Sequence, residues 1–105
     1  VDESDPRRAI RAAWIAGVFE QLEQIARAED PEHWAPETAE FLGSILLSAK
    51  RTAPAIELLR RAQREHPSDF YLCSLLAHGL DAIGELEEAR AFYTAAVAAA
   101  PRSAV

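Results

Sequence analysis

The sequence predicts an all-α fold: antiparallel helix hairpins stacked as a short α-solenoid of about six helices. Three observations carry the prediction. The chain repeats itself at a spacing of 34 residues, its apolar side chains recur every three or four positions, and glycine is scarce, with four in 105 residues. Alanine, which is abundant here, is the least costly residue in a helix, whereas glycine costs roughly 1 kcal/mol more per interior site. Half the residues are apolar and 27% are charged, enough for one continuous interior and unlike a disordered chain.

The elements follow in order. Asp5 before Pro6 is a helix start, because a carboxylate can accept from the first free N–H groups and proline lacks the one it would leave unpaired. Ile10 and Trp14 make one apolar stripe; Phe19, Leu22, Ile25 and Ala26 make another. Gly17 between them reads as the bend of a short hairpin. The alternative is one continuous helix over 6–29, since Ile10, Trp14, Val18, Leu22 and Ile25 also align. Residues 30–36, with proline at both ends, form a connector.

Sliding the chain by 34 residues then sets 36–69 against 70–103, pairing Leu42 with Leu76, Leu46 with Leu80, Ala55 with Ala89, Ala62 with Ala96 and Pro67 with Pro101. In the first unit Ala39, Leu42, Gly43, Leu46 and Ala49 form one stripe, and Ala55, Ile56, Leu58, Leu59 and Ala62 the next. Thr52 is the expected cap of a helix over about 52–66, where Pro54 is harmless in the first turn. Pro67, Ser68 and Asp69 make the turn, with Ser68 or Asp69 as cap. In the second unit Cys73, Leu76, Ala77, Leu80 and Ile83 lead to Gly84, a helix stop. Glu85, Glu87 and Glu88 then meet the positive end of the next helix, which carries Leu86, Ala89, Phe92, Tyr93, Ala96 and Val97.

Composition limits function. Net charge is −6, and residues 1–35 carry eight acids against four bases, 36–69 five of each, and 70–105 four against two. No segment has the basic excess that phosphate binding requires, so neither nucleic acid nor an anionic membrane is an expected partner. Cys73 is the only cysteine, which excludes an internal disulfide and suits a reducing, cytoplasmic setting. No apolar run reaches 18 residues and no secretory pattern opens the chain. With no methionine and a start at Val1, the chain reads as a piece of something longer.

These residues resemble the tetratricopeptide repeat, a 34-residue helix–turn–helix with aromatic-x-x-Leu-Gly-x-x-Tyr, Ala-x-x-x-Phe and a closing proline. The first unit matches through Leu42-Gly43, Leu46, Ala55, Leu59 and Pro67, the second through Leu76-Ala77, Leu80, Ala89, Tyr93 and Pro101. Ala39 and Cys73 stand where an aromatic is common, and Leu46 and Leu80 replace tyrosine. The resemblance implies a right-handed solenoid: a degenerate hairpin and connector over 1–35, then repeats over 36–69 and 70–103, all one domain. The order of hairpin, connector and the run from Leu58 to Phe70 also resembles the repeat tract following the kinase domain in some bacterial serine/threonine kinases. No kinase motif is present, so that likeness implies context and no catalysis; ten arginines to one lysine fit a GC-rich bacterial gene.

A solenoid of this kind presents the first helix of each pair on its concave side. The expected inner face holds Glu37, Glu40, Phe41, Ser44, Leu47 and Ser48 from one unit, and Tyr71, Ser74, Leu75, His78 and Asp81 from the next. Phe41, Tyr71 and Leu75 could anchor an apolar side chain; Glu37, Glu40 and Asp81 favour a basic or neutral partner. The competing reading is a plain solvated face. None of these positions is Lys or Asn, which disfavours a clamp for a C-terminal carboxylate. The last helix, rich in alanine and without a polar cap, is expected to pack on a further repeat or to self-associate.

Chemical alternatives fare worse. His33, His66 and His78 are scattered, so no metal or other cofactor is expected, and His66 suits a negative helix terminus. Cys73 and His78 are five apart on one helix with Cys73 in the core stripe, which makes a nucleophilic dyad and an enzyme improbable. Lys50, Arg51, Arg60, Arg61 and Arg64 are expected to form a solvated convex face, helped by a Glu57–Arg61 pair. Trp14 and Trp34 are expected in packing. A structural spacer without a groove remains the alternative to an interaction module.

Overall fold

The computed structural model describes residues 6–28 and 34–100. Asp5, residues 30–33 of the connector with His33, and the turn at 101–103 lie outside the described residues. Six helices follow one another: α1 (Pro6–Ala16), α2 (Phe19–Ala28), α3 (Pro36–Ser48), α4 (Thr52–Glu65), α5 (Phe70–Ala82) and α6 (Leu86–Ala99), with no strand among the described residues. The fold class is the all-α one that the apolar periodicity predicts.

One device makes each hairpin. After α5, Ile83 ends the helix and Gly84 takes φ +85°, so that Gly84 N–H donates to Asp81 C=O at 3.0 Å and Glu85 N–H to Leu80 C=O at 2.9 Å. This paired closure satisfies the last carbonyls and reverses the chain; glycine suits it because a Cβ crowds the backbone at positive φ. Gly17 does the same at φ +73°, with bonds to Trp14 and Ala13 at 3.0 Å. The N-terminal segment is thus two helices and not one. Between α3 and α4 the left-handed residue is Lys50 at φ 65°, with Arg51 N–H reaching Leu46 C=O at 2.8 Å.

Helix starts vary more. Asp69 caps α5, its carboxylate accepting from Leu72 N–H at 2.9 Å. Thr52 does not cap α4: it is the first helical residue, and the cap position belongs to Arg51, which makes no capping bond. The Arg51 side chain goes instead to Glu23 on α2, at 2.7 Å, and lies 5.7 Å from the centroid of the Phe19 ring.

Each hairpin packs internally, and α1, α3 and α5 also lie side by side, while α4 packs on both α2 and α5. The shared interior is aliphatic: Ile10, Leu22, Leu42, Leu46, Leu58, Leu59, Leu72, Leu76 and Leu80 are wholly buried. Burial of each such side chain contributes about 1.5–3 kcal/mol. Small residues set the spacing between units. A Cβ on Gly79 would stand 3.1 Å from Ile56 Cγ1 and 3.3 Å from Leu47 Cδ2, so α5 approaches the preceding hairpin there at near-contact.

The basic residues of α4 do not form a merely solvated face. Arg60 grips Glu88 of α6 through both guanidinium nitrogens, one contact being 2.9 Å. Arg61 turns away from Glu57 and donates to the Ala26 carbonyl at 2.7 Å, covering the last turn of α2. Cations that reach a neighbouring helix find carboxylates and free carbonyls, which water alone on a convex face would not supply. Trp34 is buried, but Trp14 is half-exposed, its ring edge on Phe41 at 6.0 Å between centroids.

Candidate functional site

Neighbouring first helices of two hairpins leave a depression between them. Four α3 residues, Glu37, Glu40, Phe41 and Ser44, and two α5 residues, Tyr71 and Leu75, line an open hollow of about 380 Å³. The spacing explains the grouping: Glu37, Glu40, Phe41 and Ser44 are three and four apart, one stripe of α3, and Tyr71 and Leu75 are four apart on α5.

The side chains differ in freedom. Phe41 and Leu75 are partly buried against the core, and Phe41 is further held by Trp14. Tyr71 is 60% exposed, its ring resting edge-on against Phe70 at 5.0 Å. The Ser44 hydroxyl donates to the Phe41 carbonyl at 2.9 Å, so its hydrogen is already used within α3. Glu37 is exposed and Glu40 half-buried. Burial, then a hydrogen bond with the Asp69 carboxyl and repulsion from Asp69 and Glu37, push the Glu40 carboxyl up to about 7. Asp69, read from the sequence only as a helix cap, therefore also belongs to the rim; its position across the gap from Glu40 has no signature in the chain. Trp14, assigned to packing, reaches the same place through Phe41.

Five expected inner-face residues lie elsewhere, among them Ser48, which is exposed and does not line the hollow. Leu47 is half-buried and occupied by packing over Gly79. Ser74 is half-buried and His78 exposed, and neither lines the hollow. Asp81 lines a separate trough of about 390 Å³ with Leu86, Ala89, Arg90, Tyr93, Thr94 and Val97 of α6. The helical turn carries Asp81 away from Tyr71 and Leu75, toward α6.

Other reactive groups are occupied structurally. Cys73 is buried, its sulfur 3.7 Å from the Pro67 carbonyl, and burial raises the thiol above its ordinary range, which disfavours the thiolate. His66 ends α4, but its Nε2 is buried without a hydrogen-bond partner, so the ring caps no carbonyl through that atom. Among the described residues no group of three or more His, Cys, Asp or Glu could hold a metal ion, and no helix is long and apolar enough to cross a membrane.

Stacked helical hairpins with an open inter-hairpin hollow define a helical-repeat scaffold. Residues 46–105 match the family model described as "Tetratricopeptide repeat", and the chain belongs to that family. It shares 30% identity over 97 residues with an uncharacterized protein of Aquifex aeolicus (strain VF5); the match covers 91% of this chain and 12% of that relative. The chain therefore spans about one-eighth of the length of the protein it matches. Tetratricopeptide repeats are, in general, protein–protein interaction modules.

Proposed function

We propose that the α3–α5 hollow is the docking place of a peptide or protein segment, with an apolar side chain seated on Phe41, Tyr71 and Leu75 and a lysine or arginine beside Glu37, Glu40 and Asp69. The observation behind this is the pairing of a half-exposed aromatic–aliphatic floor with a rim of carboxylates and no cation. Apolar anchors in a depression supply most of the free energy of such contacts, and rim charge selects the partner's sign. The same rim repels phosphate, which supports a protein partner over nucleic acid. The reading carries no catalytic role. Units at 1–35, 36–69 and 70–103 within one solenoid, a cytoplasmic site and a parent akin to bacterial serine/threonine kinases are proposals that rest on the sequence pattern; the Aquifex relative does not bear on the last.

Selection of a random peptide library on the immobilised chain tests the hollow. Enriched peptides are expected to combine an aromatic or aliphatic residue with Lys or Arg, and Tyr71→Ala to weaken them by about tenfold, as loss of an interface anchor does. Enriched peptides that bind Tyr71→Ala and Glu37→Lys as well as the wild type would place binding elsewhere.

A second reading has its own observation. Ile83, Leu86, Tyr93 and Val97 are 53%, 60%, 41% and 75% exposed at the α6 end of the stack. Leu86, Tyr93 and Val97 line one trough, and exposed apolar side chains gathered in this way mark a contact surface, which supports self-association or packing against a further repeat.

A further inference from the structure

We propose that the α3–α5 hollow is an exchange site, where an ammonium or guanidinium of the partner takes the place of a proton held between Glu40 and Asp69. The inference rests on the docking reading above and adds what the site releases when it is filled. Three observations lead to it, and the first is the cavity. The hollow of about 380 Å³ has an apolar floor in Phe41, Tyr71 and Leu75, carboxyl walls in Glu37 and Glu40, and no Lys or Arg in its lining. The alkyl stem of a lysine or arginine suits such a floor, and its charged end suits such walls.

The second observation is what fixes the facing carboxyl. Asp69 caps α5, and one of its oxygens accepts from Leu72 N–H at 2.9 Å, which holds the side chain across the gap from Glu40. Two carboxyls so placed repel when both are ionised, and either a proton or a cation between them removes the repulsion. Burial and the Asp69 carboxyl accordingly lift Glu40 to about 7, and Glu37, one turn earlier on α3, adds to the repulsion. The third is where the charges on the other packed helices go. Arg7, Arg8 and Arg11 of α1 line a different hollow. Glu23 of α2 meets Arg27 and Arg51, while Arg60 and Arg61 of α4 reach Glu88 and the Ala26 carbonyl. A partner's cation therefore meets no rival in the lining of the hollow. When it binds, the proton leaves the Glu40 carboxyl for solvent. One positive charge replaces another, so affinity rises with pH until the proton is already gone.

The capped dipeptide acetyl-Phe-Lys-amide serves as probe, with acetyl-Phe-norleucine-amide as its uncharged counterpart. Each is titrated into the full isotope-labelled chain while the amide resonances of Phe41, Tyr71 and Leu75 are followed by NMR. The lysine probe is expected to bind about tenfold more tightly at about pH 8 than at about pH 6, where only about a tenth of Glu40 is ionised. The norleucine probe should bind equally at both. Glu40→Gln is expected to abolish the response, and so is Asp69→Asn, which keeps a capping side chain and removes the facing charge. Either variant suffices if the other loses its folded spectrum. Both retain every histidine, so a response that survives them belongs to a histidine and overturns the Glu40 assignment. Equal binding of the lysine probe at both pH values would overturn the exchange and leave the hollow standing as a docking place. If neither probe moves the three resonances, the docking reading falls with it.

Discussion

Glu40 shows how a single residue can lie in two arguments at once. Its carboxyl faces Asp69, the cap of α5, and burial together with the Asp69 carboxyl lifts it from 4.5 to about 7. The folded chain therefore holds a proton that the unfolded chain has released above pH 4.5, and folding is favoured at the acid end of that window. As pH rises toward 7 the advantage disappears, and above 7 two facing carboxylates oppose folding. Glu40→Gln is expected to stabilise the chain at pH 8 by about 1–2 kcal/mol, allowing for solvent screening of a half-buried group. The gain should shrink toward zero at pH 5. Urea denaturation of both proteins at the two pH values measures it. Glu40 was legible in the sequence as an inner-face residue. Its partner was not, because Glu40 and Asp69 are 29 positions apart and only the stacking of α5 beside α3 brings them together.

Hairpins depend on the residue that tolerates left-handed backbone, and here the three turns are not equal. Gly17 and Gly84 hold positive φ without a side chain, whereas Lys50 does so with a Cβ. The strain is of order 1 kcal/mol for a non-glycine residue. Lys50→Gly is accordingly expected to raise stability by about 0.5–1 kcal/mol in chemical denaturation, less any loss from greater freedom of the unfolded chain. Gly84 was readable as a stop because glycine signals one. Lys50 carries no such signal, and Thr52, whose residue type suits a cap, is instead the first residue of α4. The first hairpin closes by the same geometry as the others, yet its apolar stripe could also be read through Gly17 as one long helix. The bonds from Gly17 and Val18 back into α1 decide between them.

Across the molecule, stability passes from unit to unit through packed side chains and a few ionic ties. Arg51–Glu23 and Arg60–Glu88 each join α4 to a neighbouring hairpin, one on either side. Exposed pairs of this kind contribute only about 0–1 kcal/mol, so the aliphatic interior must dominate the coupling. With three hairpins sharing one core, the chain is expected to unfold as a unit. Leu80→Ala, in α5 and wholly buried, tests that in a different hairpin from the one that carries Trp14. It should lower stability by about 2–5 kcal/mol and shift the tryptophan fluorescence midpoint together with the far-ultraviolet circular dichroism midpoint. A fluorescence midpoint that stays in place would mean that the first hairpin unfolds independently.

Local pattern alone determined the four helices of the two 34-residue units, the apolar stripes, the period and the small residues that recur within it, because each depends on neighbours within about one turn or on a spacing visible along the chain. Tertiary structure decided which helix faces meet. It drew Asp69 to Glu40, sent Arg60 and Arg61 to adjacent hairpins, packed Leu47 over Gly79, and placed Asp81 beside α6 instead of beside Tyr71. Those outcomes depend on the angle at which one hairpin stacks on the next, and that angle is set by many side-chain volumes acting together.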